Sequence, residues 1–202
     1  MQTVWHVPHH RPEVMNIRDP WLFETDRLVL RPWDRQIDLE DAFRIYSDPE
    51  IVRHIGGEAR RIKSREEMLV RLDSIMKVRT DGLGRWAMER KSDRRVVGTI
   101  ILQHVQEGYA EPLEEIEIGW HLARDAWGQG YASEAARALL RHGFEDLRIT
   151  EILAVLGKEN VASARVAQRI GMKRIGETDR YYGTTVELFR LTESEYRSRA
   201  LF

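Results

Sequence analysis

The residues with the clearest chemical potential lie in one stretch, residues 115–140. Its first part alternates isoleucine with glutamate, the pattern of a β-strand with two unlike faces, and a loop with Gly128 and Gly130 follows. Free N–H groups at a helix start, approached through glycines, suit a phosphate or pyrophosphate. The alternative is a tight turn that binds nothing, and the loop alone does not decide. Apolar residues then recur at helical spacing: Ala132, Ala136, Leu139, Leu140, Phe144 and Leu147.

The sequence around this loop resembles a known family. Residues 127–132 are similar to the Gln/Arg-x-x-Gly-x-Gly/Ala signature of the GCN5-related N-acetyltransferase (GNAT) superfamily, with Gly130 fourth and Ala132 sixth, although Trp127 stands where Gln or Arg is usual. The longer run EIGW…WGQGYASEA resembles the ribosomal-protein N-terminal acetyltransferase branch (RimJ/RimL type), where Trp is usual. The resemblance covers nearly the whole chain. It implies direct transfer of an acetyl group from acetyl-CoA to a primary amine, with a protein or peptide N-terminal α-amine as the expected acceptor.

The resemblance also implies how acetyl-CoA is held, without a metal ion. Backbone N–H groups of the glycine loop would bind the diphosphate, and Ser133 either assists or only starts the helix. The strand is expected to bulge at Gly119 and to diverge from its neighbour, exposing its backbone to the pantetheine arm; a packing glycine is the alternative. Asn160 is expected to bind the pantetheine, cap a helix, or both. The implied cofactor-binding residues are Trp120, His121, Leu122, Trp127, Gly128, Gln129, Gly130, Tyr131, Ala132, Ser133 and Asn160.

Acetyl transfer needs a base for the amine proton and an acid for the leaving thiolate. Glu117, on the polar face just before Gly119, is the first candidate base, although its carboxylate fits a salt bridge equally well. Glu115, two residues earlier on the same strand face, is a weaker candidate base. His121 has a suitable unperturbed pKa of about 6.5, but it fits a half-buried strand position better.

For the acid, many members of the family use a tyrosine in the helix after the asparagine, and the aligned residue here is Ala167. The resemblance therefore implies Ser163, one turn after Asn160, as the catalytic acid. The alternative is a hydroxyl that only packs on an apolar helix face. Tyr181 and Tyr182 are expected to bind the acceptor substrate, or else are ordinary loop aromatics.

The elements that must position these residues follow in the order β-α-α-β-β-β-α-β-α-β-β. Side-chain caps are predicted for helices at Asp38, Ser64 and Thr192. The order resembles the GNAT fold, an α/β (α+β) architecture. Its mixed, mostly antiparallel sheet has about seven strands, is split between the fourth and fifth, and is flanked by about four helices. Residues 21–202 are the predicted N-acetyltransferase domain, and residues 1–20 an N-terminal extension.

Composition limits the other function classes. The 202 residues include 32 Lys and Arg, 33 Asp and Glu and no cysteine, giving a net charge of −1. The missing cysteine excludes a catalytic thiol and an acetyl-cysteine intermediate, and the balanced charge gives no support for a nucleic-acid partner. No apolar run reaches the roughly 20 residues of a membrane span. We expect a cytoplasmic protein without membrane or metal partners, either a monomer or a homodimer.

Three other functions compete with this one. Relatives with similar motifs acetylate small amines such as polyamines, amino sugars or antibiotics. A non-catalytic CoA-binding sensor is supported by the missing tyrosine. A Rossmann or P-loop nucleotide-binding protein fits badly, because the loop has no Gly-Lys-Ser/Thr and lacks the remaining glycine of the dinucleotide fingerprint.

Overall fold

The chain folds into one mixed β-sheet with helices packed on both of its faces. The computed structural model describes residues 22–106 and 112–199. The strands are β1 (Phe23–Glu24), β2 (Leu28–Pro32), β3 (Arg79–Thr80), β4 (Leu83–Arg90), β5 (Val96–Gln106), β6 (Pro112–Leu122), β7 (Glu151–Gly157), β8 (Lys173–Thr178) and β9 (Val186–Thr192). The α-helices are α1 (Leu39–Tyr46), α2 (Pro49–Val52), α3 (Arg65–Lys77), α4 (Tyr131–Arg141), α5 (Val161–Arg169) and α6 (Glu193–Arg199).

The strand order confirms the predicted fold class. It runs β1-β2-β4-β5-β6-β7-β9-β8, with β3 beside β4. The seven longer strands are those predicted, and β1 and β3, of two residues each, are additions. All described pairings are antiparallel except β6 with β7, which is parallel and holds only Ile116↔Ile152 and Glu117↔Leu153. The sheet therefore splits between its fourth and fifth long strands, as predicted.

Two apolar layers cover the faces of the sheet. Helix α4 packs on one face, against fully buried strand residues such as Trp86 and Ile100. Helices α1 and α3 cover the other face, where Ala87 and Val96 join a second apolar cluster. Because side chains alternate along a strand, β6 turns Ile116 and Ile118 toward α4 and Glu117 toward the face on which α1 and α3 pack. Helices therefore cover part of the face that carries Glu117.

The helical pattern predicted up to Leu147 is only partly α-helical. Helix α4 ends at Arg141, and a π-helical turn, His142–Asp146, continues it. His142 explains the wider turn, since Nδ1 lies 2.9 Å from Asp146 Oδ2 and Nε2 lies 3.0 Å from the Gly82 carbonyl oxygen. The turn anchors the end of α4 to the start of β4.

Two of the three predicted caps are confirmed. Ser64 Oγ accepts from the Glu67 N–H (3.2 Å), and Thr192 and Glu195 form a reciprocal capping box. Asp38 is at the N-cap position of α1 but makes no side-chain cap there, so that prediction is wrong. The Asp38 carboxylate is bound by a buried arginine instead.

That arginine is Arg31, which joins β2, α1 and β4. Its Nη atoms bond both oxygens of Asp38 at 2.7 Å, and its Nε bonds Glu89 Oε2 at 2.6 Å. All three side chains are at most 5% exposed. Opposite charges at this depth stabilise only when their hydrogen bonds are well formed, and here Nε and both Nη atoms of the guanidinium donate.

Arg31→Leu should lower the free energy of unfolding by about 3–5 kcal/mol. It would leave the Asp38 carboxylate buried without the counter-charge of Arg31 and would remove the 2.6 Å ion pair to Glu89. The control is Arg35→Leu, which removes a half-exposed ion pair to Asp73 and should cost less than about 1 kcal/mol. Urea unfolding measures both, and equal losses in the two variants would contradict the prediction.

Candidate active site

The loop between β6 and α4 leaves a run of backbone N–H groups unused. Gly128 and Gly130 have φ angles of 73° and 83°, in the left-handed region that favours glycine. Within the described ranges, no carbonyl or side-chain acceptor takes the N–H groups of residues 128–133. A Cβ added at Gly128 would meet no atom within 4 Å. The start of α4 therefore presents free donors and the positive end of the helix dipole, the requirements for binding phosphate.

A side-chain clamp that sequence reasoning missed fixes this loop. Arg27 donates from Nε to Glu134 Oε2 (2.7 Å) and from Nη1 to the Gln129 carbonyl (2.9 Å). Its guanidinium lies 4.6 Å from the centre of the Tyr131 ring, and the Thr25 hydroxyl donates to Glu134 at 2.5 Å. Because Glu134 is in the first turn of α4, the clamp ties the phosphate-binding end of the helix to the turn between β1 and β2.

Two other side chains of the loop, although exposed, donate hydrogen bonds to nearby backbone carbonyls. Trp127 Nε1 donates to the Leu122 carbonyl (2.8 Å), and Gln129 Nε2 donates to the Asp125 carbonyl (2.6 Å). Ser133 is 2% exposed, and its hydroxyl accepts a 3.3 Å bond from an arginine of α5. Its side chain thus takes the structural role that the sequence left open, and the backbone carries the phosphate-binding potential of this segment.

A gap between β6 and β7 opens beside this loop. The pairing of the two strands ends at Glu117↔Leu153, and the segment with Trp120, His121 and Leu122 pairs only with β5. The divergence predicted for this strand is therefore present. The predicted bulge at Gly119 is wrong, because the register with β5 continues through Ile101↔Gly119 without a shift. The gap arises where pairing with β7 stops, not from an extra residue in β6.

Gly119 has a spatial role instead. It shares a strand face with Glu117 and His121, and an added Cβ would meet only Ile101 side-chain atoms, at 3.8 Å. The glycine therefore places no side chain between the two candidate proton acceptors, and the space there is bordered by Ile101.

Glu117 lies where the strands separate and is 7% exposed. Its Oε1 accepts hydrogen bonds from Gln103 Nε2 (2.9 Å) and from the Tyr182 hydroxyl. Burial raises the pKa of Glu117, while the two hydrogen bonds act in the opposite direction. Gln103 accepts in turn from Arg85 Nε (2.8 Å). A carboxylate with a raised pKa is a stronger proton acceptor than an exposed one.

The loop between β8 and β9 closes one side of this space. Tyr182 sits there with a φ of 59°, a left-handed conformation uncommon for a non-glycine residue, and its ring is 40% exposed. Glu115, the weaker candidate base, is bound to Arg180 of the same loop at 2.5 Å. Tyr181 is 3% exposed, so its ring contributes to packing. The small apolar cluster around Tyr181 includes Val105, Leu153 and Val186.

His121 belongs to a separate hydrogen-bonded chain. Its Nε2 lies 2.8 Å from the Tyr46 hydroxyl, which lies 2.9 Å from the Thr99 hydroxyl. Burial lowers the pKa of His121 to about 3, and the positive charges of Arg85 and Arg71 act in the same direction. The imidazole is therefore neutral at pH 7 and a poor proton acceptor. It links β6 to the end of α1.

Asn160 and Ser163 lie at the start of α5, which follows β7. Asn160 Oδ1 accepts from the Ser163 N–H at 3.1 Å, so Asn160 is the N-cap, one of its two expected roles. Its Nδ2 and the Ser163 hydroxyl make no hydrogen bond to any part of the chain that the structure describes. Both groups therefore remain available to a ligand in the gap.

Residues 27–173 match the family model described as the acetyltransferase (GNAT) domain. The chain belongs to the GNAT acetyltransferase family. It is accordingly an acetyl-CoA-dependent N-acetyltransferase, and its open helix start and strand gap fit a cosubstrate with a diphosphate and an extended arm.

Three similar proteins illustrate the relationship. YoaA, an uncharacterized N-acetyltransferase of Bacillus subtilis (strain 168), is 30% identical over 161 residues, 79% of this chain and 87% of its own. A GNAT-family acetyltransferase from Bacillus anthracis has a TM-score of 0.70 at 23% identity, covering 86% of this chain and 99% of its own. RimL, a ribosomal L7/L12 alpha-N-protein acetyltransferase solved with coenzyme A, has a TM-score of 0.68 at 16% identity, covering 83% and 95%. The last two share the fold.

Several residues of this GNAT site escaped sequence reasoning, among them Arg71, Arg85 and Gln103. A signal existed for one of them, since Gln103 interrupts the apolar run VVGTIILQHV on the face that carries Glu117. Arg71 gave no signal, because an arginine between apolar helix positions usually extends to water. Across the described ranges, no group of three or more His, Asp or Glu could hold a metal ion, and no helix could span a membrane.

Replacing His121 should change how stability depends on pH. Unfolded histidine binds a proton below pH about 6.5, whereas folded His121 does so only near its pKa of about 3. The stability due to this difference is fully present above pH about 6.5 and is lost as the pH falls toward 3. Between pH 7 and pH 5 the free energy of unfolding should therefore fall more steeply in the wild type than in His121→Gln, as urea unfolding would show. Equal slopes would mean that folded His121 titrates normally.

Proposed function

We propose that this GNAT enzyme acetylates the N-terminal α-amine of a protein or peptide, as in the RimJ/RimL branch, with Glu117 as general base. The observation that carries the proposal is the position of Glu117, a buried carboxylate at the point where β6 leaves β7. The acyl group enters through the gap, and the amine approaches from the face covered by α1 and α3. The sequence similarity around the glycine loop and the RimL fold support the choice of acceptor.

In the proposed reaction, the amine nitrogen attacks the thioester carbonyl carbon. A carbon–nitrogen bond forms, the amine proton passes to Glu117 directly or through one water, and the carbon–sulfur bond breaks. The leaving sulfur takes a proton from the Ser163 hydroxyl, which regains one from water as Glu117 releases its proton to water. Charge on the carbonyl oxygen is stabilised by a backbone N–H of the β6 segment with Trp120, His121 and Leu122, which has no partner in β7.

Glu117 suits the role of base better than its two competitors. Glu115 is engaged by Arg180, and the lowered pKa of His121 leaves it a weak acceptor. Glu117 combines a raised pKa with a position beside the open space over Gly119. The Tyr182 hydroxyl and Gln103 hold its carboxylate in one orientation, which keeps the accepting oxygen fixed.

A panel of amines tests the acceptor class. The enzyme is assayed for thiol release from acetyl-CoA with short peptides of varied N-terminal residue, the same peptides with blocked N-termini, polyamines, amino sugars and aminoglycosides. We expect turnover with free peptide N-termini and none with blocked ones. Turnover confined to a small-molecule class would overturn the peptide assignment while leaving acetyl transfer intact.

Variants of the two catalytic residues test the mechanism. Glu117→Gln and Ser163→Ala should each lower kcat by about 100-fold or more, because each removes a proton-transfer group. Acetyl-CoA affinity, measured by calorimetry, should be unchanged in both. Glu115→Gln is the matched control on the same strand face and should retain activity. Full activity in Glu117→Gln or in Ser163→Ala would remove that residue from its assigned role.

A further inference from the structure

Arg71 differs from most arginines of this protein because it has no acidic partner. Most of the others described pair with carboxylates, as Arg65 on the same helix does with Glu40 at 2.7 Å. Within residues 22–106 and 112–199, Arg71 makes no hydrogen bond or ion pair, although its side chain is half-buried. Placing a guanidinium out of bulk water without a partner is unfavourable unless a ligand supplies one.

The position of Arg71 directs it toward the candidate active site. It lies on the inward face of α3, level with Met68, Leu72 and Ile75, each at most 1% exposed. That face packs over the sheet face that carries Glu117. Arg71 is also close enough to the Tyr46–His121 chain for its charge to act on both groups.

A second guanidinium reaches the same space from the sheet. Arg85 on β4 pairs with Ile101, which pairs with Gly119, so the three share one row and one face. Its Nε is bound to Gln103, a neutral amide, and no carboxylate within the described ranges forms an ion pair with it. Arg71 and Arg85 are near enough to repel each other electrostatically. An anion between them would relieve that repulsion.

The open space over Gly119 is therefore strongly asymmetric in charge. On one side are two permanent positive charges, and beside it is neutral His121. Glu117 is buried and is hydrogen-bonded by the neutral groups of Gln103 and Tyr182, and Glu115 on the same strand face is already paired with Arg180. A second ammonium group on an acceptor would be repelled here, whereas a carboxylate or phosphate would be attracted.

We infer that Arg71 is a specificity-determining residue that binds an anionic group, a carboxylate or a phosphate, on the acceptor amine, with Arg85 supporting it. The inference rests on the acetyl transfer of the proposed function and specifies an anionic group on the acceptor, whether the acceptor is a peptide or a free amino acid. The planar guanidinium can hold a carboxylate through two parallel hydrogen bonds. The shared chemistry has two sources: the carboxylate of a free amino acid, or an acidic or phosphorylated side chain near the N-terminus of a peptide.

Matched acceptors provide the test. Steady-state thiol release from acetyl-CoA is measured with free amino acids against their amides. It is also measured with peptide amides that carry Glu against Gln, or phosphoserine against serine, at the first three positions. One of these pairs should show at least about a tenfold higher kcat/KM for the anionic member, the scale of one charge-assisted hydrogen bond. The responding pair identifies the source of the anion.

Variants then connect the preference to Arg71. Arg71→Met should lower kcat/KM for the anionic acceptor by about 10- to 100-fold and leave the neutral analogue and the KM for acetyl-CoA unchanged. Arg71→Lys, which keeps the charge but not the planar fork, should retain part of the preference. Arg65→Met, on the same helix and bound to Glu40, is the matched control and should keep it fully.

The outcomes separate this inference from the function on which it rests. Turnover without preference for the anionic member, or a preference that survives in Arg71→Met, would overturn the role of Arg71 while leaving acetyl transfer intact. A changed KM for acetyl-CoA in Arg71→Met would assign the residue to the cosubstrate instead. Absence of turnover with every amine would overturn the proposed acceptor and this inference together. Arg71→Lys supplies the comparison if Arg71→Met fails to fold.

Discussion

The end of strand pairing after Glu117↔Leu153 is the constraint on which this site depends. A strand bonded on both edges has no backbone groups left for a ligand, whereas β6 beyond this point is bonded on one edge only. The same divergence places the Glu117 carboxylate at the edge of the opening. One topological feature thus leaves backbone groups of β6 without a strand partner and places a buried carboxylate beside them.

The buried polar groups of the site are stable because each is hydrogen-bonded to a side chain from another element. Glu117 has Gln103 and Tyr182, and His121 has Tyr46, so each is held in one orientation. These partners come from β5, α1 and the β8–β9 loop, elements far apart in the chain. Fixing a base from several elements limits its motion and keeps its pKa displaced from the value in water. Arg71 differs, because no described residue forms a hydrogen bond or ion pair with it, and from this we inferred an anionic ligand.

The start of α4, the candidate phosphate-binding site, is also held in place by a few specific contacts. Gly128 and Gly130 let the backbone open at the start of α4, and Arg27 and Glu134 hold that opening against the first strands. Because the Trp127 indole N–H and the Gln129 amide are bonded to nearby carbonyls, the free donors of the loop are mainly backbone N–H groups. Backbone donors bind a diphosphate without losing side-chain rotamer freedom, which suits a cosubstrate that must also leave.

Sequence alone determined the element order, the glycine loop and the face on which Glu117 lies, because hydrophobic period and glycine placement are local properties. It also predicted the helix caps at Ser64 and Thr192, because each cap is formed by residues only three positions apart. Prediction from sequence failed where an element remote in the chain determines the local contacts. Asp38 caps nothing because Arg31 binds it, and β6 has no bulge because its opening arises from lost pairing with β7. Tertiary structure alone decided that Tyr182 binds Glu117 and that Tyr181 is core, since each depends on contacts between residues remote in sequence.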